Sequence, residues 1–542
     1  MSRDADTPND APRAVVWSVA GTDSGGGAGL AADQRAAEAC GVHLCPVVAA
    51  VTAQNPSAVT RLAALDPALL DAQLAALADE LPPAAIKTGL LGSAANARVL
   101  ARWVDRLRAR SGGGAPALVI DPVLRASTGA ELADAALLAA YRDELLPRAT
   151  VLTPNRAEAA RLLGGGELDV PAQAAALRAR GAAAVCITGG DAGGALALDW
   201  LDTPQARGWL SLPRVATRHH HGTGCTFASA LAAAAARGFV GADAAVLAKM
   251  ATTHALRRAV PLGESPGAGP VRAGEGFASD PTLLPHLSCD ENAPAAWPLP
   301  AAPQPPAPGV YAIVDSAERV QAVLAAGART VQLRIKQAPV DAALREALRA
   351  SIAAAAACGA TLVVNDHWSL ALELGAGAVH LGQEDLLRLS PAERARLRTA
   401  QARGLQLGLS SHSLWELACA AAWSPAYIAC GPVWPTTTKA MPWRAQGLHN
   451  LAWWAHMAPA PVVAIGGILE PRQLRAAAAS GARGGCVVRG LGADPAGTLP
   501  HFEAAWQAGC RERAGRVVAA PPGWPQPTLA PEAARPGSGE LC

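Results

Sequence analysis

The stretch Asp290–Gly309, DENAPAAWPLPAAPQPPAPG, divides the chain. Seven of its twenty positions are proline, and no apolar periodicity survives in it. Proline fixes φ and removes a backbone donor, so such a run neither joins a sheet nor continues a helix. It reads as an extended, semi-rigid spacer. The patterns on either side differ in kind. The 542 residues therefore resolve into two large α/β domains at 13–288 and 309–512, a linker at 289–308 and a disordered Pro/Ala/Gly-rich tail at 513–542.

Composition narrows the function classes. Hydrophobic residues make up 51% of the chain and aromatics only 4%, which fits Ala-rich helices around Val/Leu strands. A formal charge of +2 provides no basic stripe, so nucleic acid is not the expected partner. The 11 cysteines are scattered without CxxC or Cys/His ligand spacing, which argues against a disulfide framework or zinc site and for a reducing cytoplasm. The N-terminal MSRDADTPNDAPR is polar and acidic, unlike a signal peptide. No run of apolar residues is long enough to span a membrane.

In the first half, strand-like runs at Val15–Ala20, Pro46–Val51, Ala84–Thr88, Ala117–Asp121 and Thr150–Thr153 alternate with helical segments such as Asp66–Glu80 and Ser93–Arg110. This alternation predicts a mostly parallel sheet with helices on both faces and a site beyond the carboxyl ends of the strands. Gly21–Gly29, GTDSGGGAG, follows the first strand and lets backbone approach a ligand closely, although a tight turn alone would also explain it. In TPNRAE (Thr153–Glu158), Asn155 and Glu158 lie one helical turn apart and suit a hydrated Mg²⁺ beside phosphates; the alternative is an N-cap with an acidic first turn. In HGTGCT (His221–Thr226), Gly222, Thr223 and Gly224 open a helix whose first N–H groups can bind an anion. Cys225 falls in the first turn, where a thiol pKa is expected to be lowered.

The second half repeats a strand–helix unit eight times between Gly309 and about Glu512, which predicts a small (β/α)₈ TIM barrel. Its strand ends carry QLRIK (Gln332–Lys336), Asn365-Asp366, GQED (Gly382–Asp385), SSH (Ser410–His412), PTTTK (Pro435–Lys439), Gly466-Gly467 and Val488-Arg489-Gly490. Polar groups thus collect at one rim. Arg334, Lys336 and Lys439 suit a highly charged anion, and Asp366 and Asp385 are hard oxygen ligands of the kind Mg²⁺ uses when substrate phosphates complete its shell. His412, beside a helix start, is read as structural.

The motifs of the first half, together with TAQN (Thr52–Asn55), IKTGLLGS (Ile86–Ser93) and DPVLRASTG (Asp121–Gly129), resemble the hydroxymethylpyrimidine/phosphomethylpyrimidine kinases of the ribokinase superfamily. The resemblance implies a three-layer α/β/α domain that uses ATP. Gln54 and Asp33 would bind the pyrimidine, and Asn155 and Glu158 would organise Mg-ATP. Gly222, Thr223 and Gly224 would form an anion hole, with Cys225 as base. The sequence departs from the family at Leu30-Ala-Ala-Asp33, which lacks a glutamine common there, and at Thr188, where lysine is common.

QLRIK, HLGQED, GLSSHS, GPVWPTTTK and VVAIGGI in the second half resemble thiamine phosphate synthase. That implies Gln332, Arg334, Lys336, Asn365, Ser410 and Lys439 as ligands of a pyrimidine diphosphate. Thr436, Thr438, Gly467, Val488 and Arg489 would receive a thiazole phosphate, and Asp366 and Asp385 Mg²⁺. Arg489 stands where serine is common. The expected partners are small-molecule substrates, with self-association through the kinase half. Two alternatives are a pyridoxal-type kinase in the first half and a non-catalytic thiamin-phosphate sensor in the second; Gln54 speaks against the former, and the full QLRIK and aspartate set against the latter.

Overall fold

The computed structural model describes residues 12–110, 114–126, 129–190, 192–288, 290–297, 308–336, 340–436, 442–515 and 522–529. These form two compact units. One holds the residues up to 278 together with 290–297; the other holds 279–288 and everything described from 308 onward. Part of the Pro-rich stretch thus belongs to the first unit: Trp209 Nε1 donates to the Glu291 carbonyl at 2.8 Å.

The first unit is built on strands β1 (Val15–Asp23), β2 (His43–Gln54), β3 (Val59–Ala64), β4 (Ala85–Thr88), β5 (Ala117–Ile120), β6 (Val151–Leu152), β7 (Val185–Ile187), β8 (Leu196–Asp202) and β9 (Arg207–Pro213). Their order is β9-β8-β7-β6-β5-β4-β1-β2-β3. Neighbours from β2 through β1 to β7 are parallel, while β3, β8 and β9 add antiparallel margins. Side chains alternate across a strand. On β1, Trp17 and Val19 enter the main core, which Leu70, Leu74, Val104 and Tyr141 also fill. Ser18 instead meets the layer containing helices α1 (Gly29–Ala39) and α7 (Thr223–Ala236). A register shift at Ala20/Gly21 bends the end of β1 where the glycine-rich loop begins.

The second unit is a closed parallel barrel of eight strands, Gly309–Val314, Thr330–Leu333, Thr361–Asn365, Ala378–Leu381, Gln406–Ser411, Tyr427–Cys430, Val462–Ala464 and Gly484–Val487, hydrogen-bonded in chain order. Tyr311, Ile313, Val363, Ala378, Tyr427, Ala429, Val463 and Cys486 point inward and fill it. Tyr427 needs the bare backbone of Gly408, where a Cβ would lie 2.1 Å from the tyrosine Cζ.

The described parts of the tail, 513–515 and 522–529, depart from the expectation of disorder. The final helix runs Pro495–Gly515, and residues 522–529 dock on the barrel. Asn450 supplies both halves of an amide pair, its Nδ2 donating to the Gln526 carbonyl at 3.0 Å and its Oδ1 accepting from Gln526 N at 2.7 Å. Arg444 N donates to Thr528 O at 2.7 Å, and Leu529 is buried. A Pro-rich segment has few backbone donors of its own, so a side-chain amide that mimics a neighbouring strand can hold it.

Candidate active sites

In the first unit, the ends of β1, β2, β4, β5 and β6 and the start of α7 meet at the carboxyl edge of the sheet. Its floor is a buried charge cluster. Lys87 Nζ lies 2.9 Å from Asp33 Oδ1 and 3.7 Å from Asp121 Oδ2. Asp33 also accepts from Ser18 Oγ at 2.6 Å and Ser229 Oγ at 2.8 Å. With no solvent exposure and four bonds from three donors, Asp33 is committed to the floor. Burial alone would lower the Lys87 pKa, but the carboxylates of Asp33 and Asp121 raise it. Burial pushes Asp121 up to about 6 against the opposing pull of Lys87.

Above the floor, two loops interlock. Asp23 accepts from Gly25 N at 2.8 Å, Ala28 N at 2.8 Å and Gly27 N at 3.1 Å, and sits 2.9 Å from His221 Nε2. Burial would raise the Asp23 pKa; the bonds to His221 and to the amides of Ala28 and Gly25 lower it overall. The next residue, Gly222, is the N-cap of α7 at φ 83°, and a Cβ there would lie 2.2 Å from the Gly27 carbonyl. Among the described residues no side chain caps α7; Thr223 N donates to the His220 carbonyl at 3.2 Å, and the Gly224 and Cys225 amides that follow have no carbonyl one turn back within the helix. The Cys225 thiol does not show the lowering that its helix position predicts. Burial pushes it up to about 12; Lys87 opposes this, Asp33 and Asp121 add to it, and the Gly29 amide opposes it.

Gln54 ends β2 next to the same loop. Its backbone exchanges bonds with Ser24 Oγ, whereas among the described residues its carboxamide makes only a 3.4 Å contact with Thr52 Oγ1. Asn155 and Glu158 form a reciprocal capping box at the start of the helix Arg156–Leu163, each donating a backbone N–H to the other's side chain at 2.9 Å. Thus the N-cap alternative describes their geometry here.

At the barrel rim, Asp366 and Asp385 come within hydrogen-bond reach of each other, and burial together with the Asp366 charge raises the Asp385 pKa. Asp366 is held at φ 63° and pairs with Lys336. A non-glycine residue at positive φ is uncommon and concentrates at functional sites. Two crowded carboxylates fit a divalent cation whose remaining ligands come from phosphates and water. Among the described residues no third metal-ligating side chain joins them. Asn365 is buried, and among the described residues its Nδ2 has no acceptor. Ser410 Oγ bonds His380 Nε2 at 3.0 Å, and Gln383 Nε2 holds the Ser410 carbonyl at 2.8 Å. Burial pushes His380 down to about 4, so its ring is neutral. Arg334 follows its strand at the same rim, with its N–H donating to Val314 O at 2.8 Å. Thr436 is partly exposed and follows Trp434 and Pro435, which close the Cβ position of Gly467, with Trp434 Cβ at 2.6 Å and the Pro435 carbonyl at 2.9 Å. Val488 and Arg489 open the last turn, Arg489–Leu491. Thr438 and Lys439 lie outside the described residues. His412 is bracketed by Glu416 at 2.8 Å and stacked on Trp443, a structural arrangement.

The phosphomethylpyrimidine kinase family profile matches residues 23–272, and the thiamine monophosphate synthase profile matches residues 310–491. A probable thiamine biosynthetic bifunctional enzyme, chloroplastic, from Oryza sativa subsp. japonica is 33% identical over 488 residues, covering 86% of this chain and 83% of that protein. The chain belongs to the family of bifunctional thiamine biosynthetic enzymes. Each half also has separate relatives. A hydroxymethylpyrimidine/phosphomethylpyrimidine kinase from Synechococcus elongatus is 43% identical over 262 residues, 47% of this chain and 96% of that protein. A thiamine-phosphate synthase from Rhizobium etli is 48% identical over 163 residues, 30% of this chain and 76% of that protein. Within this bifunctional family, the pyridoxal-kinase and sensor alternatives lose their footing.

Several residues of both sites escaped the sequence reading. Asp23 and His221 are 198 positions apart, and only the fold joins them. Lys87 sits inside a quoted motif, IKTGLLGS, but reads as a strand residue among apolar neighbours. Tyr311, His380 and Tyr427 were legible in principle, because strand parity places them inward with Gln332 and Ser410.

Proposed function

We propose that the N-terminal unit transfers phosphoryl groups from ATP to a hydroxymethylpyrimidine and then to its monophosphate. The barrel joins the resulting diphosphate to a thiazole phosphate, releasing pyrophosphate. In the kinase, the open amides at Gly224 and Cys225 stabilise the charge on the transferring group, and phosphoryl transfer rests on such positioning and electrostatics. The thiolate form of Cys225, the minor form of this raised thiol, takes the alcohol proton in the first step and becomes the thiol; the second nucleophile, a phosphate, is already ionised. Gln54 offers its carboxamide to the ring, while Asp33 acts from beneath by fixing Lys87, Ser18 and Ser229. Asn155 and Glu158 shape the turn that meets Mg-ATP.

In the barrel, Asp366 and Asp385 would hold Mg²⁺, which supplies charge neutralisation at the departing diphosphate. Arg334, Lys336, Ser410 and Lys439 bind the diphosphate, and Asn365 Nδ2, without an acceptor among the described residues, donates to the substrate. Thr436, Thr438, Gly467 and the backbone at Val488–Arg489 receive the thiazole phosphate. No protein nucleophile is needed, because the aminopyrimidine stabilises the cationic methylene after pyrophosphate leaves.

The observation that supports this reading is the meeting of Asp366 and Asp385 near Lys336 and Asn365, whose Nδ2 has no acceptor among the described residues. The test supplies the whole protein with hydroxymethylpyrimidine, ATP, thiazole phosphate and Mg²⁺. Thiamin phosphate should appear, and omitting any one component should abolish it. ADP release without thiamin phosphate would remove the synthase assignment.

A further inference from the structure

Five side chains form one unbroken hydrogen-bonded chain through the barrel interior. Gln332 Nε2 donates to Tyr311 Oη at 2.9 Å, and Tyr311 Oη lies 2.8 Å from Tyr427 Oη. Tyr427 Oη is 3.0 Å from His380 Nδ1, and His380 Nε2 is 3.0 Å from Ser410 Oγ. Gln332, Tyr311, Tyr427 and His380 are buried, and Ser410 alone is partly exposed. The chain crosses strands one, two, four, five and six of the barrel and ends at the rim.

The donor at one end fixes every proton along it. Tyr311 Oη already accepts from Gln332, so its own proton goes to Tyr427 Oη, its other hydrogen-bond partner among the described residues. The reverse arrangement would leave the Tyr311 hydroxyl proton buried without an acceptor, which costs the full desolvation of that group. Tyr427 then donates to His380 Nδ1. Because Nδ1 accepts that bond, it carries the lone pair, so the ring hydrogen sits on Nε2 and is donated to Ser410 Oγ. With its oxygen occupied as acceptor, the Ser410 hydroxyl keeps its proton for whatever lies above the rim.

We infer that this buried chain makes Ser410 an obligate hydrogen-bond donor toward the leaving diphosphate, with His380 and Tyr427 as positioning residues that act through it. The inference rests on the reading of Ser410 as a diphosphate ligand. It adds a reason for the specificity of that contact. With the opposite polarity, Ser410 would give its proton to His380 and present lone pairs to an anion. A ligand donor such as an amino group on the Gln332 Oε1 side would reinforce the inferred polarity by holding the carboxamide in its present orientation.

The experiment uses the full chain, supplied directly with pyrimidine diphosphate, thiazole phosphate and Mg²⁺, and measures kcat and KM for Ser410→Ala, Tyr427→Phe and the double variant. Ser410→Ala should lower kcat roughly 10- to 100-fold, the range for a hydrogen bond to a charged group. Tyr427→Phe should lower it about tenfold, because His380 can then adopt the other tautomer and accept from Ser410. The double variant should be no slower than Ser410→Ala alone. If Ser410→Ala retains full kcat, the ligand reading falls and the inference with it. If Ser410→Ala is slow and Tyr427→Phe multiplies the loss, the ligand reading stands and the proton chain is wrong. Should Tyr427→Phe fold poorly, His380→Gln and His380→Asn give a second comparison. Glutamine can place a donor near the Nε2 position and asparagine cannot, so His380→Gln should be roughly tenfold faster. Equal rates would overturn the inference.

Discussion

The Cys225 thiol offers the sharpest test of the kinase chemistry. It stands at the first turn of α7, yet burial pushes it up to about 12, with Lys87 and the Gly29 amide only partly offsetting Asp33 and Asp121. At pH 8 such a thiol is overwhelmingly protonated, so only a small minority of molecules carry the thiolate. A raised thiol pKa means the thiolate gains as pH rises. If that thiolate removes the alcohol proton, the rate of the first phosphorylation climbs about tenfold per pH unit from pH 7 toward 10. The second phosphorylation starts from an ionised phosphate and stays nearly flat over that range. The two steps are separable by supplying the alcohol or the monophosphate at saturating Mg-ATP and following ADP. Their rate ratio should grow about 100-fold between pH 7 and 9. Cys225→Ala should cut the first step by about 10²- to 10⁴-fold, while the second step retains most of its rate. A first step that is flat with pH, or equal losses in both steps, would refute a thiolate base.

Three further predictions follow from the packing. Lys87→Met leaves Asp33 and Asp121 buried without their cation, and should destabilise the first unit by about 3–5 kcal/mol in calorimetry; adding Asp33→Asn should recover part of that loss. Gly222→Ala forces a Cβ to 2.2 Å from the Gly27 carbonyl at φ 83°, so kinase activity should collapse while synthase activity is unchanged. A fully active Gly222→Ala kinase would show that the interlocked loops are dispensable. Asn450→Ala leaves the Gln526 N–H and carbonyl without partners, a cost of about 1–3 kcal/mol. Hydrogen exchange at 522–529 should accelerate, and KM for thiazole phosphate should rise severalfold.

The two architectures were legible because hydrophobic runs and turn residues mark parallel strands well. All eight barrel strands fall at or within a residue or two of where Gly309, Thr330, Thr361, Ala378, Gln406, Tyr427, Val462 and Gly485 begin their runs. The antiparallel margins β3, β8 and β9 were less visible; β3, for instance, is largely exposed and lacks a core-facing pattern. Rim residues could be found from strand ends, but not what each one touches. Asp33 looks like a ligand in sequence and is a fully bonded floor in space. Asn155 and Glu158 show that one spacing serves equally a helix cap and a metal site. The docking of 522–529 was hidden because its affinity lies in Asn450, a residue that carries no mark of a distant partner.

That docked segment bears on how the barrel can be moved between proteins. Its last helix ends at Gly515, and a cut there looks natural by composition. The transplanted barrel would then lose residues 522–529, the segment that braces Arg444 and Asn450. Those positions lie just downstream of Thr436 and its loop. A synthase excised at Gly515 would therefore be a weakened version of the one in this chain, and grafting it onto another kinase would transfer that handicap. Carrying the short Pro-rich coda along restores the brace, so the movable module is longer than the barrel that gives it its shape.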